Sequence, residues 1–92
     1  MDVVERSQMQ KTHNGYRKFQ VQNIEYGSYK LRVGDLWEND SKVIVISDIY
    51  RHMTGNNEWL TVHYRSLDDL DKEYISERIV HYIERNNFVR IQ

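Results

Sequence analysis

The chain has no cysteine, no proline and no alanine, and its 92 residues include only four glycines. Without cysteine there is no disulfide framework, no thiol nucleophile and no thiolate metal site. A small secreted domain usually depends on such cross-links, so a cytoplasmic location is expected. Losing alanine removes the strongest helix former. Four scattered glycines cannot build a phosphate-binding loop, and no serine sits in a GxSxG turn. The longest apolar run is Val43-Ile44-Val45-Ile46, far short of a membrane span. The opening MDVVERSQMQK lacks the apolar core of a signal peptide.

What is present is mostly β-forming. Nine Val, eight Ile and seven Tyr, with two Trp and two Phe, dominate an apolar fraction of 39%. Such residues fit a pleated, half-buried surface. Charged residues make up 29%, so one folded, soluble domain with a modest core is expected. The net charge is only −1, but it is unevenly spread. Arg6, Lys11, Arg17, Lys18, Lys30 and Arg32 face a lone acid, Glu25, whereas Asp68, Asp69, Asp71, Glu73 and Glu77 face only Lys72. A polarised surface follows.

Residues 1–14 show no sustained period and end at the turn signal Asn14-Gly15, which reads as a flexible arm; a short helix carrying Val3, Val4 and Met9 is the alternative. Residues 15–92 read as one domain. Phe19 and Val21 alternate, the phase shifts at Ile24 and Tyr26, and after Gly27-Ser28 the alternation resumes at Tyr29, Leu31 and Val33. The expectation is a bulged hairpin with one apolar and one basic face. Leu36-Trp37 begin a short strand. KVIVISDIYRHMTGNNEWLTVHY, residues 42–64, is the strongest signal: two strands joined by the turn Thr54-Gly55-Asn56-Asn57. In a straight strand Asp48 falls on the Ile44/Ile46 face. Beyond residue 66, Leu67, Leu70 and Tyr74 form one helical stripe and Ile75, Ile79, Tyr82 and Ile83 another, too far apart for one straight helix. A break near Ser76 is expected, with Ser76 capping a helix to about Arg85 and 88–91 closing as a strand. A continuous helix over 67–86 is the alternative.

From Val33 onward the chain resembles small SH3-like barrels of the KOW and Tudor type, and more narrowly a family of small uncharacterised bacterial and phage accessory domains. The positions carrying the likeness are Gly34 and Trp37, Thr54-Gly55, Tyr64-Arg65-Ser66-Leu67, and the helix and strand over 76–91. Abundant Ile, Asn, Tyr and Lys also resembles coding from an AT-rich genome, as in many bacteriophages. The resemblance implies a mainly β (α+β) fold, a barrel of five to six strands with a short C-terminal helix. It implies binding, with no known catalytic residue.

The residues themselves offer little chemistry. His13, His52, His63 and His81 have no metal-ligand spacing. His52 and His63 could approach across the hairpin, but with no carboxylate or thiolate close by in sequence, so neither a metal nor a cofactor is expected. Asp69-x-Asp71-x-Glu73 fails as a calcium loop because Tyr74 and Val80 replace the required Gly and Glu; a solvated connection is expected there. Asp48 and His63 could face each other as an acid/base pair, although a cross-strand polar pair is the simpler account. No enzyme is expected.

Two binding readings remain. In the preferred one, Tyr50, Arg51, Trp59, Tyr64 and Arg65 around the hairpin bind a host protein and modulate it. In the alternative, Lys11, Tyr16, Arg17, Lys18, Lys30 and Arg32 bind nucleic acid through cations and stacking rings. Nucleic acid gains if Arg17, Lys18, Lys30 and Arg32 share one exposed face; protein binding gains if the acids of 68–73 fold over them.

Overall fold

A computed structural model describes residues 15–92, so the expected arm at 1–14, including Lys11 and His13, lies outside the described residues. The elements are β1 (Arg17–Val21), β2 (Asn23–Tyr26), β3 (Tyr29–Arg32), β4 (Leu36–Glu38), β5 (Val43–Thr54), β6 (Asn57–Ser66), β7 (Asp69–Ser76), α1 (Ile79–Arg85) and β8 (Val89–Arg90). The long β5–β6 hairpin is the spine, and its turn begins at Gly55, whose φ of 57° suits the position that glycine tolerates best. β7 pairs with β6, β4 and β1 pair with β5, and β8 pairs with β4, all antiparallel, giving a six-stranded sheet. β2 and β3 form a separate two-stranded sheet.

The barrel is corrected to an open sheet. β7 and β8 end the strand order, and no pairing among the described residues joins them. The phase shift expected within one strand is a true break: 17–21 pair with β5, and only 23–26 pair with 29–32. The β2–β3 hairpin lies over the sheet, its Ile24 and Leu31 buried against it. Together with α1 it forms the second layer of a body measuring 46 × 29 × 18 Å. The core is Ile24, Leu31, Trp37, Ile44, Ile46, Ile49, Val62, Tyr64, Ile79, Ile83 and Phe88. Fully burying a side chain such as Leu31 or Ile49 contributes about 1.5–3 kcal/mol.

Two irregularities reset the alternation. The register shifts between Ile46 and Asp48, with Ser47 as the extra residue. The bulge turns Ile49 into the core and Asp48 onto the opposite face, correcting its expected place beside Ile44 and Ile46. A carboxylate on the apolar face would have been costly to desolvate. A second irregularity leaves 70–72 unpaired between Arg65↔Glu73 and Ser66↔Asp69. Arg65 Nη1 fastens this loop by donating to the Leu70 carbonyl at 2.6 Å. The acidic stretch is therefore an edge strand rather than a connection.

The break near Ser76 is present, with a strand before it and a helix after it. Ser76 is not the cap residue, however. It ends β7, its Oγ accepts the Arg78 N–H at 3.0 Å, and Arg78 occupies the cap position without a side-chain capping bond. At the other end Asn87 takes φ 58°, and the N–H groups of Asn87 and Phe88 return to the carbonyls of Glu84 and Ile83. That is a Schellman closure, and it drops Phe88 into the core beside Ile83. No helix among the described residues is long and apolar enough to cross a membrane.

Candidate functional site: a cleft and an open sheet face

The six-stranded sheet has two unlike faces. On the covered face, the hairpin and α1 do not reach the far end of β5–β6, and a cleft of about 680 Å³ opens there. Ile24, Leu31, Leu60, Val62 and Ile79 give it an apolar lining, while Glu25, Glu58, Glu77 and Glu84 bring four carboxylates against Arg51 and Arg78. Arg51 Nε pairs with Glu58 at 2.9 Å across the hairpin. The Tyr29 hydroxyl donates to Glu84 at 3.2 Å; desolvation first, then the Glu84 charge, raises the Tyr29 pKa above its ordinary value. The ladder between β6 and β7 stops at Val62↔Ser76. Among the described residues, 57–61 therefore pair with β5 on one side and with no strand on the other, and this edge borders the cleft.

The opposite face carries rings and a polar network. Tyr16, His52 and Trp59 form a stack across three neighbouring segments, with His52 and Trp59 5.2 Å apart and 6° from parallel. Both nitrogens of His52 are engaged, Nδ1 with the Tyr16 hydroxyl and Nε2 with Thr61 Oγ1, each at 2.8 Å. Burial, then the Lys18 charge, lower the His52 pKa and keep the ring neutral, Glu77 pulling weakly the other way. The Lys18 ammonium lies 4.5 Å from the Tyr50 ring centre, and Tyr50 in turn tilts against His63. Beyond them His63 Nδ1 meets Glu73 at 3.3 Å, Arg65 Nη2 meets it at 3.5 Å, and Ser47 Oγ donates to it at 3.2 Å. Asp48, opposite His63, accepts from Gln20 Nε2 at 2.8 Å. At Glu73 partial burial acts to raise the pKa, but the hydrogen bonds from His63 and Ser47 and the nearby positive charges outweigh it and hold the pKa low.

These positions divide the residues expected to bind a protein. Tyr50, Trp59 and Arg65 sit on or beside the open face, and Trp59 also reaches the cleft rim. Arg51 belongs to the cleft. Tyr64 is a correction: it is 9% exposed, stacked between Tyr74 and Tyr82 in the core, and offers a partner almost nothing. The nucleic-acid set is also dispersed. Arg17 and Lys18 are adjacent on a strand and so point to opposite faces. Lys30 and Arg32 lie on the hairpin's outer side with Arg90 and Glu25, and Arg32 is tied to buried Asp35. Tyr16 is committed to the ring stack. The acids of 68–73 do not cover these cations either, since β7 and β1 lie on opposite sides of the β5–β6 pair.

Comparison of the chain with protein-family models, curated proteins and solved structures finds no match. Asp48 and His63 face each other across the hairpin, as the sequence suggests; Glu73 carries no such local signal, because only the β6–β7 register brings it to them. The cleft was equally invisible, since it arises where three distant segments fail to meet.

Proposed function

We propose that this protein is a non-catalytic binding module that takes an extended segment of a partner protein along the free edge of β6, with a basic side chain of that segment entering the cleft. One observation carries this reading: a cleft with an apolar lining and four carboxylates opens beside the outer edge of 57–61, which no strand among the described residues pairs. Strand addition supplies main-chain hydrogen bonds, while pockets for alternate side chains supply selectivity. Carboxylates in excess over arginines favour a Lys or Arg from the partner. Trp59 and the Arg51–Glu58 pair flank the entrance, the residue types that commonly dominate interface energy.

In the wider reading suggested by composition and by the short motifs, the partner is a host-cell protein whose activity is modulated, and the chain is a phage-type accessory protein of the bacterial cytoplasm. The SH3-like likeness survives in this reading only as the order of a short strand, a long hairpin, a helix and a final strand. Affinity capture from bacterial cytosol, with and without nuclease, compares the natural chain with Glu25→Lys/Glu77→Lys. The expected result is a stoichiometric protein that survives nuclease and is retained at least about 10-fold less by the double variant, the equivalent of ~1.4 kcal/mol. Equal retention by both would remove the cleft from the interface. A broad set lost on nuclease treatment would transfer the function to nucleic acid.

A further inference from the structure

We propose that Asp48, His63 and Glu73 form a binding site for a divalent transition-metal ion of the zinc type, on the sheet face opposite the cleft. One potential donor atom from each lies within 4.8 Å of the other two. They come from three adjacent strands, β5, β6 and β7, through the pairings Asp48↔His63 and Arg65↔Glu73, so the backbone ladder fixes their Cα positions. The separation of His63 Nδ1 from Glu73 Oε1, 3.3 Å, matches the edge of a tetrahedron. Two donors held about 2.0–2.1 Å from a zinc ion stand roughly 3.3 Å apart. Asp48, whose carboxylate also lies within 4.8 Å of the other two donors, supplies the third ligand by a side-chain adjustment, and a solvent molecule would take the fourth position.

The surroundings are those a metal site needs. The bulge at Ser47 places both Ser47 and Asp48 opposite His63, and bulges recur where a strand must re-aim a side chain. Ser47 Oγ and Arg65 both hold Glu73 through Oε2, leaving Oε1 directed at His63. Gln20 Nε2 holds Asp48 through Oδ1. Such outer contacts orient carboxylate ligands before the ion arrives. Two carboxylates against Arg65 leave the cluster one charge negative, which favours a dication. Imidazole among the donors selects zinc-like ions over magnesium or calcium, which prefer oxygen alone. The other hairpin histidine, His52, is no competitor because Tyr16 and Thr61 occupy both its nitrogens.

The test is calorimetric titration of the full chain with zinc chloride at pH 7.5, with magnesium and calcium chloride in parallel. It is repeated on His63→Gln, Asp48→Asn and Glu73→Gln, and His63 ring nitrogens are followed by NMR in the natural chain. The expected result is one zinc per chain, a shift of the His63 Nδ1 resonance, no heat from magnesium or calcium, loss of binding in His63→Gln, and weakening by about 10-fold or more in each carboxamide variant. Zinc binding unchanged in His63→Gln, no zinc heat at all, or an unmoved His63 resonance at saturation would each overturn the proposal. The NMR readout needs no variant, so it decides the matter even if a substitution unfolds the chain.

Discussion

At the scale of single residues, two buried polar side chains make opposite demands. His52 is 7% exposed and neutral, both nitrogens bonded to hydroxyls that could equally accept from a protonated ring. Protonation therefore costs desolvation and repulsion from Lys18, with the hydrogen bonds themselves retained. Because the folded-state pKa lies below the ordinary 6.5, its stabilising contribution is complete above that pH and is lost as pH falls through the folded value. Between pH 7.5 and 5.5 the melting temperature should therefore fall more steeply for the natural chain than for His52→Gln. Parallel slopes would contradict the burial argument. Trp37 is different: it is buried, and its Nε1 has no hydrogen-bond partner among the described residues. Trp37→Phe removes that orphan donor while losing volume, so the two effects offset and the net cost should stay within about 1 kcal/mol, against the 3–5 kcal/mol typical of an aromatic cut to Ala. Chemical denaturation of both variants checks this.

At the scale of elements, the legible parts were those whose signal is local. The 43–64 hairpin, the short strand at Leu36-Trp37, the break near Ser76 and the closing strand were readable because alternation, Gly55 and the incompatible stripes around Ser76 all lie within a few residues. Illegible were the bulge at Ser47 and the departure of β1 from β2, since one extra residue leaves no compositional trace and strand partners are chosen by tertiary packing. Strict alternation thus puts Asp48 on the wrong face, and sequence distance separates Glu73 from His63. The Schellman closure offers a sharp test: at φ 58° Asn87 is tolerated but glycine is preferred. Asn87→Gly should stabilise by a few tenths to about 1 kcal/mol and Asn87→Val should destabilise by at least as much, both read from denaturant midpoints. β7 carries its own safeguard. Leu70 and Ile75 are exposed on this edge strand, 53% and 62%, and the irregular stretch 70–72, which follows Asp69 and contains Asp71, interrupts it. Such charges and irregularities keep edges from pairing with other copies. Asp69→Val/Asp71→Val should shift the chain to higher mass with concentration in light scattering; a mass that stays constant would show that the acids do not guard the edge.

At the scale of the molecule, an open sheet presents two surfaces where a closed barrel would present one. The hairpin and α1 cover one face incompletely, which creates the cleft, and the bulged strand gathers a charged cluster on the other. The protein-binding reading and the metal site therefore stand on separate surfaces and fail separately. Among the described residues the front-end cations do not share one face, because neighbouring strand residues such as Arg17 and Lys18 face opposite ways. The cleft is tested most directly by photo-crosslinking in bacterial cytosol, with benzoylphenylalanine placed at Glu58 on the cleft rim or at Lys18 on the open face. A discrete protein adduct from position 58, absent from position 18 and unaffected by nuclease, is the expected outcome. An adduct from position 18 alone, or nuclease-sensitive products from either position, would contradict the assignment of the cleft as the partner site.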